Sequence, residues 1–226
     1  MTGITVACLD MAGTTVADDG TVIAAFSAAV ERFGLAPGTQ RYDQALAFVK
    51  ETMGQSKIEV FRRILGAEDA AQQANSAFEE HYAASVRAGQ IAPLPGAVET
   101  VTALRDSGIR VCLATGFSPA TRDAIVTALG WEKLADLYLS PAEAGRGRPW
   151  PDLPLTALLR LGGGAVRELA VAGDTASDIE SGLRAGAGLV AGVLTGAASR
   201  ADLEEAGAPV IMDSIAGLLP ILRPPG

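Results

Sequence analysis

The chain has 226 residues, 49% of them hydrophobic and 19% charged, with a formal net charge of −8. This composition supports an apolar core, either one large domain or a core domain with a smaller insert, and excludes a disordered chain. The acidic balance argues against nucleic-acid or anionic-membrane partners, so an anionic ligand would need local cations or a metal ion. In chain order, residues 4–9 are the first of five continuously apolar runs; the others are 109–114, 169–172, 189–194 and 210–212. Continuous rather than alternating apolarity suits parallel strands covered on both faces. Residues 10–108 carry no strand signal. They hold helical patterns at 21–33, 41–53, 57–65 and 68–88, each followed by glycine. Val22, Ala25, Phe26, Ala29, Val30 and Phe33 share one face of the first. A strandless stretch of this length is too long for a loop. It predicts a helical domain at 17–90, inserted into a core formed by 1–16 and 91–226, with Pro93 and Pro95 in the return segment.

Helical patterns at 97–106 and 119–129 separate later strands. The second has Ser118 as N-cap, Pro119 at its first position and Gly130 as its stop. Alternating strands and helices predict an α/β fold, a doubly wound parallel Rossmann-like sheet that binds ligands at the carboxyl ends of its strands. Cys8 and Cys112 lie inside apolar runs and read as reduced core thiols of a cytoplasmic protein. No basic region precedes an apolar stretch at the N-terminus, so no signal peptide is expected. No apolar run reaches the ~18 residues of a membrane span.

Three polar positions follow three predicted strands: Asp10, Thr115-Gly116 and Asp174, with Asp178 four residues on. Parallel neighbours would bring them to one sheet edge, where two carboxylates can hold an oxygen-seeking cation such as Mg2+. Helix capping is the competing role, stronger for Asp178 than for Asp10, whose following Met-Ala-Gly-Thr-Thr reads as a turn. Arg148, in the loop Gly147-Arg148-Pro149-Trp150, could pair with both Asp10 and a phosphoryl oxygen, with a solvated loop arginine as the competing role.

The order of Asp10, Thr115, Arg148 and the Asp174/Asp178 pair resembles the four motifs of the haloacid dehalogenase superfamily, and the likeness covers essentially the whole chain. It implies an Asp10 nucleophile and phosphate binding by Thr115, Gly116 and Arg148. Mg2+ would be held by Asp10, the Ala12 backbone carbonyl and Asp174, with Asp178 behind them. Most phosphatases of that superfamily carry a second aspartate two residues after the nucleophile, as acid and base; here it is Ala12. Asp-x-Ala-Gly-Thr with a later arginine is similar to the phosphonoacetaldehyde hydrolase (phosphonatase) branch. That branch uses a lysine Schiff base on an inserted cap. The stretch Met53-Gly54-Gln55-Ser56-Lys57-Ile58-Glu59 resembles the segment holding it, which implies Lys57 in that role and a substrate pocket reached by Met53 and Phe117.

The chemistry is coherent. Ala12 cannot protonate the alkoxide expelled from an ester. A carbon–phosphorus bond would expel a carbanion, and an iminium on Lys57 would accept its electrons. Ser56 and Glu59 read as a capping box, which puts Lys57 in the first helical turn, where the helix dipole disfavours a cation. The chain departs from the branch at Phe117 (a hydroxylated aromatic there), at Val60 (a histidine) and at Gly20-Thr21 (a cysteine), differences that bear on the carbonyl substrate. His81 reads as surface, and Trp131 and Trp150 as packing. A phosphomonoesterase or phosphomutase is the runner-up and a non-catalytic phosphate-binding module the third reading. The partners expected are a small phosphonate or phosphate and, from the resemblance, a second copy of the chain.

Overall fold

The computed structural model describes residues 3–18 and 20–222. Strands β1 (Val6–Asp10), β2 (Arg110–Ala114), β3 (Leu137–Leu139), β4 (Leu169–Gly173), β5 (Leu189–Val193) and β6 (Val210–Met212) form one sheet. Its order is β3-β2-β1-β4-β5-β6 and every pairing is parallel. Every residue of β1 and β4 is buried, which explains their unbroken apolarity. Alternate residues serve opposite layers. Ala7, Leu9, Val111, Leu113 and Ala170 join one core; Val6, Cys8, Cys112, Ala114 and Val171 join the other, with Leu153, Ala157 and Leu158. The two cysteines are register partners on β1 and β2, both buried and unoxidised.

Five strands lie where the apolar runs predict them. β3 was missed: it is as short as β6, and its Leu-Tyr-Leu has no β-branched residue where β6 has Val210 and Ile211. Helices α1 (Thr21–Glu31), α2 (Gln40–Glu51), α3 (Lys57–Leu65), α4 (Glu68–Arg87) and α5 (Ala97–Asp106) separate β1 from β2. After β2 come α6 (Pro119–Ala128), α7 (Pro141–Ala144), α8 (Asp152–Arg160), α9 (Ala176–Ala185), α10 (Arg200–Glu205) and α11 (Leu218–Leu222). Ser118 caps α6 as expected, accepting from the Thr121 amide at 3.3 Å.

Helices α1 and α3 both pack on α4. Rings of Phe26, Phe61, Phe78 and Tyr82, stacked at the two outer contacts and edge-on between Phe61 and Phe78, fill their interior, and Phe117, just past β2, adds a fifth ring 4.5 Å from Tyr82. The chain leaves and re-enters the sheet side by side: Val16 bridges Pro93, the Ala17 amide donates to the Ala92 carbonyl, and the Leu94 amide to the Thr15 carbonyl.

The expected capping box at Ser56 is not formed. Ser56 stands at the N-cap of α3 without a side-chain cap hydrogen bond, and Glu59 pairs instead with Arg62. Ser56 is buried against the Gly147 backbone, so packing overrides the local motif.

Candidate active site

Asp10 is the last residue of β1, opposite Ala114 of β2, and Leu9 stands opposite Ala172 of β4. The chain beyond all three strand ends therefore meets at one edge, at the point where the strand order reverses. The turn after Asp10 closes on the Met11 carbonyl, which accepts from the amides of Thr14, Thr15 and Val16. Gly13 has φ +85°, and a Cβ there would lie 2.4 Å from Asp174 Oδ2. Only glycine allows both the left-handed turn and the approach of that carboxylate.

The carboxylates of Asp10, Asp174 and Asp178 are buried and offer oxygens within 4.8 Å of one another. Arg148, also buried, binds two of them: Nη1 to Asp10 Oδ1 and Nε to Asp178 Oδ1, each at 2.7 Å. Its Nη2 donates to the Ala114 carbonyl at 3.3 Å. Asp178 also forms a capping box with Thr175 at the start of α9, so the capping role holds for it as well. Asp174 accepts from Thr14 Oγ1 at 3.2 Å and from the Ala197 amide at 2.8 Å. Burial, then the Asp178 charge, pushes Asp174 up to about 7. Burial also raises Asp10 well above the usual carboxylate range, with Arg148 opposing and the other two aspartates adding. The cluster holds more negative charge than Arg148 offsets. Hard oxygen donors crowded this way fit a divalent cation of the magnesium type.

Lys57 opens α3 and is 9% exposed. The preceding segment passes directly over the second motif: a Cβ on Gly116 would meet the Gln55 carbonyl oxygen at 2.6 Å and that of Gly54 at 2.8 Å. Glycine at 116 is thus what lets this segment rest on the sheet edge. Lys57 Nζ makes no hydrogen bond or ion pair with any described residue, and lies 5.7 Å from the Phe117 ring centroid. Burial lowers its pKa, opposed by Asp18 and Asp10 and aided by Arg148. Burial joins the helix dipole inferred from sequence as a cause favouring the neutral amine.

A cavity of about 490 Å³ is lined by Asp10, Ala12, Met53, Lys57, Thr115, Gly116, Phe117, Arg148 and Asp174. These are all the expected site residues except Asp178, which stands behind Arg148. Thr115 Oγ1 accepts from the Phe117 amide at 3.2 Å, which fixes the turn after β2. His81 is exposed on α4 and Trp131 is buried core, as expected. Trp150 is not packed in the interior: it is 46% exposed, with the Arg146 and Arg184 guanidiniums 4.2 and 5.4 Å from its ring centroid.

Sequence reasoning missed Asp18 and Lys50, which line the cavity from before α1 and from α2. It also missed the loop after β5, where Thr195 Oγ1 donates to the Gly13 carbonyl at 2.7 Å. The strand-end rule that found Asp10, Thr115 and Asp174 applies equally to that loop. Asp18 and Lys50 had no local signal.

A profile of the haloacid dehalogenase-like hydrolases matches residues 4–186. A phosphonoacetaldehyde hydrolase of Pseudomonas putida is 34% identical over 104 residues, 46% of this chain and 38% of that protein, so the chain matches well under half the length of this relative. A solved phosphonoacetaldehyde hydrolase-like protein of Oleispira antarctica superposes with a TM-score of 0.82 at 26% identity, covering 97% of this chain and 91% of the other. A hydrolase of Pseudomonas syringae shares the fold at 24% identity, with a TM-score of 0.83 and coverage of 96% and 97%.

Proposed function

The chain belongs to the haloacid dehalogenase-like hydrolase family, and on that premise we propose that it hydrolyses the carbon–phosphorus bond of a small 2-oxoalkylphosphonate. The observation that carries this reading is the Lys57 amine. It is buried, without a hydrogen bond or ion pair to any described residue, in the same cavity as Asp10. Ala12 meanwhile stands where a phosphatase of the family has its acid. Burying a lysine without a partner is costly, and the neutral form it favours is the nucleophile that attacks carbonyls. Residues 17–90 are the cap that carries Lys57 over the core.

Lys57 condenses with the substrate carbonyl to give an iminium and water. Asp10 attacks phosphorus, the C–P bond breaks, and its electron pair moves into the iminium to leave an enamine and an aspartyl-phosphate. Water opens the aspartyl-phosphate to phosphate and Asp10. The enamine takes up a proton at carbon, and a second water releases the carbonyl product from Lys57. Thr115 and the Gly116 amide bind the phosphonate oxygens. Arg148 holds Asp10 in line and adds positive charge, while Asp178 holds Arg148. Magnesium, bound by Asp10, the Ala12 carbonyl and Asp174, would offset charge on the phosphonate.

The test is borohydride reduction in the presence of 2-oxoalkylphosphonates. A covalent adduct on Lys57, found by peptide mass spectrometry, is expected. It is lost in Lys57→Arg. In Asp10→Ala it persists while phosphate release falls by at least ~10³-fold. Turnover of phosphate esters with no adduct in the unsubstituted protein would sink the Schiff-base reading.

A further inference from the structure

Condensing an amine with a carbonyl requires a proton carrier. The ammonium must lose a proton, and the carbinolamine hydroxyl must gain one before it can leave as water. Among the described residues, three carboxylates line the cavity: Asp10, Asp174 and Asp18. The first two belong to the cluster around Arg148 and the cation position. Asp18 is not a member of that cluster and is half-buried in the segment that leads from the sheet edge into α1. Its Oδ1 accepts from the Val22 amide at 3.0 Å and its carbonyl from the Thr21 amide, so it is anchored to the start of that helix.

We propose that Asp18 is the proton carrier of the Lys57 end of this cavity, a catalytic residue for Schiff-base formation and release. This rests on the function proposed above. The two groups share the cavity without direct contact, so Asp18 takes one proton from the Lys57 ammonium through one bridging water, freeing the nitrogen lone pair to form the C–N bond. The carbonyl π pair moves to oxygen, which receives a second proton from nitrogen. Asp18 then returns its proton to the resulting hydroxyl. Water departs with the C–O pair, and the nitrogen lone pair completes the iminium. One N–H remains and Asp18 is again a carboxylate, so the step balances without any further reagent. Product release runs the same transfers backwards.

Electrostatics agrees with this placement. After burial, Asp18 is the foremost charge acting on Lys57, ahead of Asp10, Arg148 and Asp174, and it favours the ammonium. The Phe117 ring lies 5.7 Å from the amine, and Lys50 of α2 lines the same cavity. Two roles for Asp18 therefore predict opposite outcomes. If it acts only through its charge, its removal leaves more neutral amine at neutral pH and adducts form faster. If it carries the proton, adducts form more slowly although more of the amine is neutral.

The experiment compares Asp18→Asn and Asp18→Glu with the unsubstituted protein. It follows Lys57 adduct formation by rapid mixing of 2-oxopropylphosphonate with borohydride quench, between pH 6 and 10. Asparagine keeps an oxygen for the Val22 amide, so the hydrogen bond to the start of α1 is retained; circular dichroism and the thermal midpoint check this. Asp18→Asn is expected to slow adduct formation by roughly 10²–10⁴-fold, with the amine's titration moved to lower pH. Asp18→Glu is expected to restore a large part of the rate. Adduct formation in Asp18→Asn as fast as, or faster than, in the unsubstituted protein would overturn the proposal and leave the Schiff base standing. No adduct in the unsubstituted protein removes both.

Discussion

Lys57 is the residue where stability and the proposed chemistry oppose each other. Its pKa is lowered by burial, so between that lowered value and the ordinary 10.5 the unfolded chain binds the proton and the folded chain does not. Stability then rises with pH through this window, and the penalty is fully present below it. Lys57→Met fills similar space without a charge. It is expected to raise stability at pH 7 by roughly 1–3 kcal/mol, several degrees in Tm for a chain of this size, and to abolish the alkaline gain. Thermal melts at pH 7 and 10 check this. A melt lowered at both values would mean that the amine holds the fold together. Asp178 shows a different economy, since one carboxylate binds Arg148 and closes the capping box of α9.

At the scale of elements, α3 is held against the sheet edge by backbone proximity. The carbonyls of Gly54 and Gln55 lie where a Cβ of residue 116 would be. Gly116→Ala is expected to push residues 54–56 outward, to cost about 1–3 kcal/mol by overpacking, and to slow adduct formation on Lys57 more than it weakens phosphate binding. Denaturant melts and the adduct assay measure the two effects separately. Equal loss in both would place the damage in the turn after β2 itself. The absent capping box at Ser56 belongs to this scale too: the same approach of backbone to backbone buries Ser56 against Gly147. Glu59 is left exposed to pair with Arg62.

At the scale of the molecule, the rings of Phe26, Phe61, Phe78 and Tyr82 are closed by Phe117, which lies in the loop just past β2. This contact joins the interior of the α1–α4 helices to the loop that carries Thr115 and Gly116. Phe117→Ala is expected to cost about 3–5 kcal/mol as a large-to-small change, read chiefly as local opening. Hydrogen exchange should quicken in α3 and α4 while β1 and β4 keep their protection. Uniform quickening across the sheet would show that the helices and the sheet unfold as one unit. No helix among the described residues is long and apolar enough to cross a membrane, in keeping with the absence of long apolar runs.

The amino-acid sequence by itself determined five of the six strands, their parallel arrangement, the helices between β1 and β2 and the strand-end positions of Asp10, Thr115 and Asp174. Each of these follows from local apolar runs, turn chemistry and spacing, which need no knowledge of distant neighbours. The edge strand β3 escaped because its short Leu-Tyr-Leu lacks the β-branched pair that marks the equally short β6. Tertiary structure alone decided the rest. It buried Lys57 without a hydrogen bond or ion pair to any described residue, made packing override the cap at Ser56, turned Trp150 outward between two arginines, and brought Asp18 to the same cavity as the lysine. Burial, desolvation and convergence depend on which surfaces meet, and residues far apart in the chain meet only once the sheet and the helices have packed.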